Sequence, residues 1–136
     1  MPDEQKSWTE ATARRWLGNA PWWPDVWTLN IRLTKPSWYE PEALPEPYEG
    51  ARSREEECMK DALTLREEHP ELAFAIGFAF REEEGERGIL HCATIDAHGH
   101  VVDPATARLG LPVGYLLARL PEPVIRALAA RNGIAV

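Results

Sequence analysis

Three short apolar runs in the second half of the chain constrain its fold more than any other feature. LAFAIGFAF, at residues 72–80, is followed by the charged stretch 81–88 and then by ILHCATID at 89–96 and HVVD at 100–103. Short apolar runs bounded by polar or turn residues are typical of buried strands. Because the connections are too short for a crossover, neighbouring strands must run antiparallel. The sequence therefore predicts a three-stranded antiparallel meander.

Helical patterns lie on both sides of this meander. Residues 54–68 carry apolar residues at helical spacing, with Cys58 on the apolar face, and Ser53 lies three positions before Glu56, the spacing of a capping box. Residues 121–132 predict a closing helix with prolines at its start. These patterns predict an α+β fold in which the helix that carries the cysteine packs on a small antiparallel β-sheet.

The N-terminal part of the chain is rich in tryptophan and proline. A short helix is predicted at residues 7–17, and the segment 19–50 then holds four of the six tryptophans. Its prolines predict extended loop over most of 34–50, after one strand-like alternation at 27–33. The tryptophans either line a substrate approach or form a lid over the core. The candidate substrate-binding residues are Trp22, Trp23, Trp27 and Trp38.

Length, charge and polarity restrict the class of protein. The 136 residues fit one domain, with residues 1–52 as an N-terminal segment, 53–106 as the core and 107–136 as a C-terminal helical part. The net charge of −7 argues against binding to nucleic acid, which requires clustered cations. No apolar run reaches the ~20 residues of a membrane helix, and the first residues are too polar for a signal peptide. We expect a cytoplasmic protein that acts on, or binds, a protein or peptide, with no nucleic acid and no membrane as partner.

A histidine, an aspartate and a cysteine are spaced so that they can meet. Successive side chains of a strand face opposite sides, so Cys92 cannot serve His91 as a nucleophile. The turn at residues 97–99 folds the chain back and brings Asp103 to or beside the position opposite His91. Cys58, on the preceding helix, is then the remaining thiol for a Cys-His-Asp triad.

The same residues carry a family resemblance. Cys58-Met-Lys-Asp-Ala62, Phe74-Ala-Ile-Gly77-Phe, His91-Cys-Ala and Asp96-Ala-His-Gly-His-Val-Val-Asp103-Pro resemble a pattern of small bacterial and phage proteins similar to the transglutaminase-like and papain-like cysteine hydrolases. The resemblance implies a helix packed on an antiparallel sheet and acyl transfer through a thioester. It assigns Cys58 as the nucleophile, His91 as the general base and Asp103 as the orienting acid, with no cofactor.

Other interpretations remain open. Taken singly, a cysteine such as Cys58 on an apolar helical face is more often a small core residue than a nucleophile, and Asp103 before Pro104 is also explained as the start of a turn. The chain as a whole is also consistent with a catalytically degenerate member of the fold that binds a protein partner or acts as an inhibitor. Glutamates at 55–57 favour this alternative, because negative charge beside a thiol opposes its ionisation.

No metal site is predicted. Cys58 and Cys92 are too few for a four-cysteine zinc site, and a reducing compartment disfavours a structural disulfide between them. His98 and His100 share one face of a strand and offer two weak ligands, but the sequence shows no third.

Overall fold

The computed structural model describes residues 8–20, 31, 34–51, 53–54, 57–85 and 87–131, and these form an α+β fold, as the sequence predicts. The α-helices are α1 (Glu10–Asn19), α2 (Cys58–Glu68), α3 (Ala105–Leu109) and α4 (Glu122–Arg131). The strands are β1 (Ser37–Tyr39), β2 (Ala73–Phe80), β3 (Ile89–Ile95), β4 (Val101–Val102) and β5 (Gly114–Arg119). Single 3₁₀ turns lie at Glu46–Tyr48 and Glu82–Glu84.

The strands form one antiparallel sheet in the order β1-β5-β2-β3-β4. The predicted meander is present as β2, β3 and β4, and β2 is central because β5 pairs with its other side. The short β4 pairs only with Thr94 and Ile95 of β3. In the described part of the chain, the earlier residues of β3 therefore form an edge of the sheet next to the start of α2.

One strand outside the meander was not predicted, and one predicted strand falls mostly outside the described residues. The sequence predicted only a C-terminal helical part at 107–136, but Gly114–Arg119 forms β5, which pairs with β2. The strand-like alternation at 27–33 falls mostly outside the described residues, and Ile31 there has helical backbone and is buried. Thr34 Oγ1 donates a hydrogen bond of 3.0 Å to the Ile31 carbonyl.

The central strand β2 has one face of large and one of small residues. The large residues pack in one core with residues of α1, α2 and α4; they are Phe74, Ile76, Phe78 and Phe80. The small residues alternate with them and face the other side, which also carries residues of β3 and β5; they are Ala75, Gly77 and Ala79. Burial on both faces explains why β2 is a continuous apolar run, and the small residues leave space on the second face.

Helix α2 begins at Cys58, so the predicted start at residue 54 was wrong. The backbone N–H of Arg54 donates to Asp61 Oδ2 at 2.7 Å, and Asp61 is buried. The Asp61 carboxylate therefore holds the preceding segment outside the helix, and Glu57 is the N-cap residue without a capping side-chain hydrogen bond. Glu56, the partner in the predicted capping box, lies outside the described residues.

The other two long helices follow their sequence signals. Thr9 caps α1 in a reciprocal arrangement with Thr12, and the helix runs to Asn19. Helix α4 lies within the predicted 121–132. No helix in the described ranges combines the length and the apolar character that a membrane crossing requires.

Candidate active site

The thiol of Cys58 lies at the first residue of α2. The first N–H groups of a helix have no partner within it and carry the positive end of its dipole. Both effects favour a thiolate at this position over a neutral thiol. The start of α2 thus places the cysteine better for ionisation than the helix expected from the sequence.

A chain of short hydrogen bonds joins His91 to Asp103. His91 Nε2 lies 2.8 Å from Asp103 Oδ2, as the turn geometry leads one to expect. Tyr115 donates its O–H to the same oxygen at 2.8 Å, and the Ala105 backbone N–H donates to Oδ1 at 3.0 Å. Asp103 is only 3% exposed, so each of these donors compensates for its lost hydration.

Asp103 lies where β4 ends and α3 begins, which explains its fixed position. The Asp103 carbonyl accepts hydrogen bonds from the Thr106 N–H at 3.1 Å and the Thr106 hydroxyl at 2.8 Å. Asp103 therefore starts a turn, as one interpretation of the Asp-Pro pair expects, and its carboxylate also binds His91. The turn and the histidine contact involve different atoms of the residue and do not exclude each other.

The imidazole of His91 lies between Asp103 and Cys58. It hydrogen-bonds with the Cys58 side chain, and because Nε2 contacts Asp103, Nδ1 is the nitrogen left to face the sulfur. The ring also stacks on Tyr115, with centroids 6.2 Å apart and 24° between the planes. Both rings lie on the face of the sheet where Gly77 and Ala79 are the directly opposite residues of β2.

The surroundings of Cys58 favour its thiolate. The pKa of Cys58 is lowered to about 4, mainly by a hydrogen bond from the Cys92 thiol. Burial opposes this shift, and the hydrogen bond and positive charge of His91 add to it. The Cys92 backbone also donates to this sulfur, at the edge of β3 that β4 leaves uncovered. Cys58 therefore reaches both His91 and Cys92, although these two side chains leave the strand on opposite sides.

The charges of His91 and Asp103 stabilise each other. Burial opposes the charge on His91, but the hydrogen bond and negative charge of Asp103, together with Cys58, outweigh it and raise the pKa of His91. Burial likewise opposes ionisation of Asp103, yet the contacts with His91, Tyr115 and the Ala105 N–H lower its pKa. These shifts all favour thiolate, imidazolium and carboxylate over the neutral forms of the three residues.

Cys92 belongs to the site in a role that the sequence did not suggest. It is buried in the helix-side core, and its hydrogen bond to Cys58 and its burial raise its own pKa. Cys92 is thus a neutral donor to the thiolate. Its side chain and that of His91 leave β3 on opposite sides, so Cys92 is not placed to act as a nucleophile with His91. Tyr115, which donates to Asp103, was not among the predicted site residues because the strand that carries it, β5, was not predicted.

The acidic residue nearest to Cys58 in sequence is neutralised locally. Glu57 lies 3.6 Å from an Arg54 nitrogen and 3.5 Å from Lys60 Nζ. These pairs reduce its effect on the thiolate. Glu55 and Glu56 lie outside the described residues.

Of the four tryptophans proposed to bind substrate, the structure describes only Trp38. Trp22, Trp23 and Trp27 lie outside the described residues. Trp38 lies in β1 at the far edge of the sheet, with β5 and β2 between it and β3. Its ring packs near Phe80, with centroids 6.1 Å apart, and it does not line the cavity beside Cys58.

A cavity of about 170 Å³ opens beside the three residues. Cys58, His91 and Asp103 all line it, so the thiol is accessible to a small group. The remaining lining residues are Arg54, Asp61, Ile89, Leu90, Pro104, Ala105, Arg108 and Leu109.

Metal binding has no support in the described part of the chain. It holds no group of three or more histidine, cysteine, aspartate or glutamate side chains placed to bind one ion. The His98 and His100 rings are 6.3 Å apart at the turn.

Comparisons with family models, curated proteins and solved structures found no match to this chain. The resemblance to cysteine hydrolases therefore stays a prediction, and the site is interpreted from its own geometry.

Replacing Tyr115 with phenylalanine tests the anchoring of Asp103. The variant loses a hydrogen bond to a buried carboxylate, which is worth about 1.5–3 kcal/mol of unfolding free energy at pH 7. Because the pKa of Asp103 is lowered on folding, this loss should shrink as the pH falls through that pKa. Urea unfolding at several pH values measures it, with Tyr39→Phe in β1 as a matched control; equal stability of both variants would contradict the assignment.

Proposed function

We propose that this protein is a cysteine-dependent acyl-transfer enzyme with a transglutaminase-like or papain-like core, acting on an amide of a protein or peptide. The observation that carries the proposal is the continuous contact from Cys58 through His91 to Asp103, with Cys58 at a helix start and beside a cavity. A buried core cysteine requires none of these three features. The resemblance described from the sequence selects the same three residues.

The first half of the proposed reaction forms a thioester. Cys58 Sγ attacks the carbonyl carbon of the substrate, and a carbon–sulfur bond forms while the oxygen takes the negative charge. The backbone N–H groups at the start of α2 are candidate donors to that oxygen. His91 gives its proton to the amine nitrogen, the carbon–nitrogen bond breaks, and the amine leaves.

The second half releases the acyl group. Neutral His91 takes a proton from water or from an acceptor amine, which attacks the thioester carbon and expels the Cys58 thiolate. The products are an acid or a new amide, and the thiolate and imidazolium are restored. Asp103 stabilises the imidazolium in both halves and holds the ring in place.

Acylation by p-nitrophenyl acetate tests this proposal. The expected result is a burst of p-nitrophenol and the gain of one acetyl group, mapped to Cys58 by peptide mass spectrometry. Cys58→Ser should lose the burst, and His91→Ala should slow it about ten- to a hundredfold at pH 5, because most of the Cys58 thiol is then protonated in the variant. His98→Ala, at the exposed turn, is the matched histidine control and should keep it.

Either of two results would contradict the proposal. One is the absence of acetyl-Cys58 in the wild-type protein under conditions where free cysteine reacts. The other is acetylation that is the same with and without His91. Both would favour the alternative of a binding module with an inactive site.

A further inference from the structure

The cavity beside Cys58 is too small for a whole substrate. Its volume of about 170 Å³ lies below the ~300–1,000 Å³ of pockets that enclose small molecules. It has room for one side chain or a short acyl group. The remainder of a substrate must lie along the rim, so the rim residues determine which neighbouring groups are tolerated.

One part of this rim is apolar and exposed. Leu90 is 46% exposed and Leu109 is 50% exposed, and both line the cavity. Ile89 lies beside Leu90, at the start of β3. Exposed leucines scattered singly need no explanation, but two that flank one cavity form an apolar contact surface for a ligand.

The other part of the rim carries a cation without a carboxylate partner among the described residues. Arg108 contacts only neutral oxygens there, Ser53 Oγ and the Arg54 carbonyl, both at 3.4 Å. Arg54, in contrast, lies 3.8 Å from the Asp61 carboxylate and 3.6 Å from that of Glu57. The guanidinium of Arg108 is thus available at the cavity for a bidentate contact with an anion.

Acylation leaves the net charge of the site unchanged, because a neutral thioester and a neutral His91 replace the thiolate and the imidazolium. Among the described residues, Arg108 therefore has no carboxylate partner either before or after acylation. A carboxylate on the acyl group could contact it in both states.

We infer that the site prefers acyl donors in which an aliphatic side chain lies next to a carboxylate, with Leu90 and Leu109 contacting the side chain and Arg108 the carboxylate. This inference rests on the proposed acyl-transfer function and names the substrate class for it. Arg108 and the two leucines are specificity residues in this assignment and take no part in bond making.

Haloacetyl amino acids test the inference with charge and side chain varied separately. The probes are N-iodoacetyl-leucine, N-iodoacetyl-leucinamide and N-iodoacetyl-glycinamide, and iodoacetamide gives the reactivity of Cys58 without recognition. The rates are measured by intact mass spectrometry on the wild-type protein and on Arg108→Gln, Arg108→Lys and Leu90→Ser. Equal iodoacetamide rates show that each variant keeps an intact site.

The expected results are changes in rate ratios. The rate with N-iodoacetyl-leucine, divided by the rate with N-iodoacetyl-leucinamide, should fall about tenfold in Arg108→Gln and be largely retained in Arg108→Lys. The rate with N-iodoacetyl-leucinamide, divided by the rate with N-iodoacetyl-glycinamide, should fall about fivefold in Leu90→Ser. If iodoacetamide reacts readily with Cys58 but neither ratio changes in the variants, the inference is overturned while the proposed function stands. A Cys58 inert to all four reagents would overturn both.

Discussion

Replacing His91 with alanine is expected to slow alkylation of Cys58 by iodoacetamide at pH 5 between about ten- and a hundredfold. The wild-type thiol, with its pKa lowered to about 4, is mostly ionised at this pH. A return to the ordinary value of 9.0 would leave about one thiol in 10⁴ ionised. The more basic thiolate is roughly a hundredfold more nucleophilic, which offsets part of the loss. The hydrogen bond from Cys92 remains in the variant and sets the lower end of the range.

The matched variant for this experiment is His98→Ala. His98 lies in the exposed turn between β3 and β4 and should leave the alkylation rate unchanged. At pH 9 the His91→Ala protein should react at least as fast as the wild type, because at least about half of its Cys58 is then ionised and its thiolate is the more nucleophilic of the two. A His91→Ala protein that keeps the wild-type rate at pH 5 would show that the imidazole does not stabilise the thiolate.

Replacing Gly77 with alanine is expected to reduce the unfolding free energy by more than about 3 kcal/mol, or to prevent folding. A Cβ at this position would overlap the carbonyl oxygen of Leu116 and would lie 2.9 Å from Leu117 Cα. Both are backbone atoms of β5, which cannot move without separating from the central strand. A strained core substitution of this kind belongs to the most damaging class of point mutations.

Gly18 in α1 provides the glycine-to-alanine control. Apart from its chain neighbours and the backbone of its own helix, no described atom lies within 4 Å of a Cβ built there, and alanine is the better helix former by about 1 kcal/mol. Gly18→Ala should therefore keep or slightly raise the stability measured by urea unfolding. A Gly77→Ala protein within about 1 kcal/mol of the wild type would mean that the two strands are not packed as closely as described.

The apolar runs predicted the meander because burial and turn length together leave few alternatives. Strand β5 escaped prediction, although the stretch that contains it, between Pro112 and Pro121, is apolar and of strand length. Its pairing with β2 is a long-range contact that no local turn signals. The start of α2 was predicted too early because Ser53 and Glu56 have the spacing of a capping box. In the structure the Asp61 carboxylate, inside the helix, accepts a hydrogen bond from the Arg54 N–H instead.

In the candidate site, too, the contact made through a short turn could be predicted and the contacts made by distant strands could not. The His91–Asp103 contact follows from one short turn, so strand geometry was enough to place it. Tyr115 reaches Asp103 from a strand that is separated from β3 by β2, across a face made open by small residues. The contact between Cys58 and Cys92 depends on how short β4 is, and the sequence does not reveal where a two-residue strand ends.

The most direct test of the central claim is the pH dependence of Cys58 alkylation in the wild-type protein, measured separately for Cys58 and Cys92. Because the pKa of Cys58 is lowered and that of His91 is raised, the thiolate–imidazolium pair should persist across neutral pH. The account predicts a Cys58 rate that is nearly constant between about pH 5 and 8, while Cys92 stays unreactive in the folded protein. A Cys58 rate that rises about tenfold per pH unit over this range, as for an ordinary thiol, would contradict it.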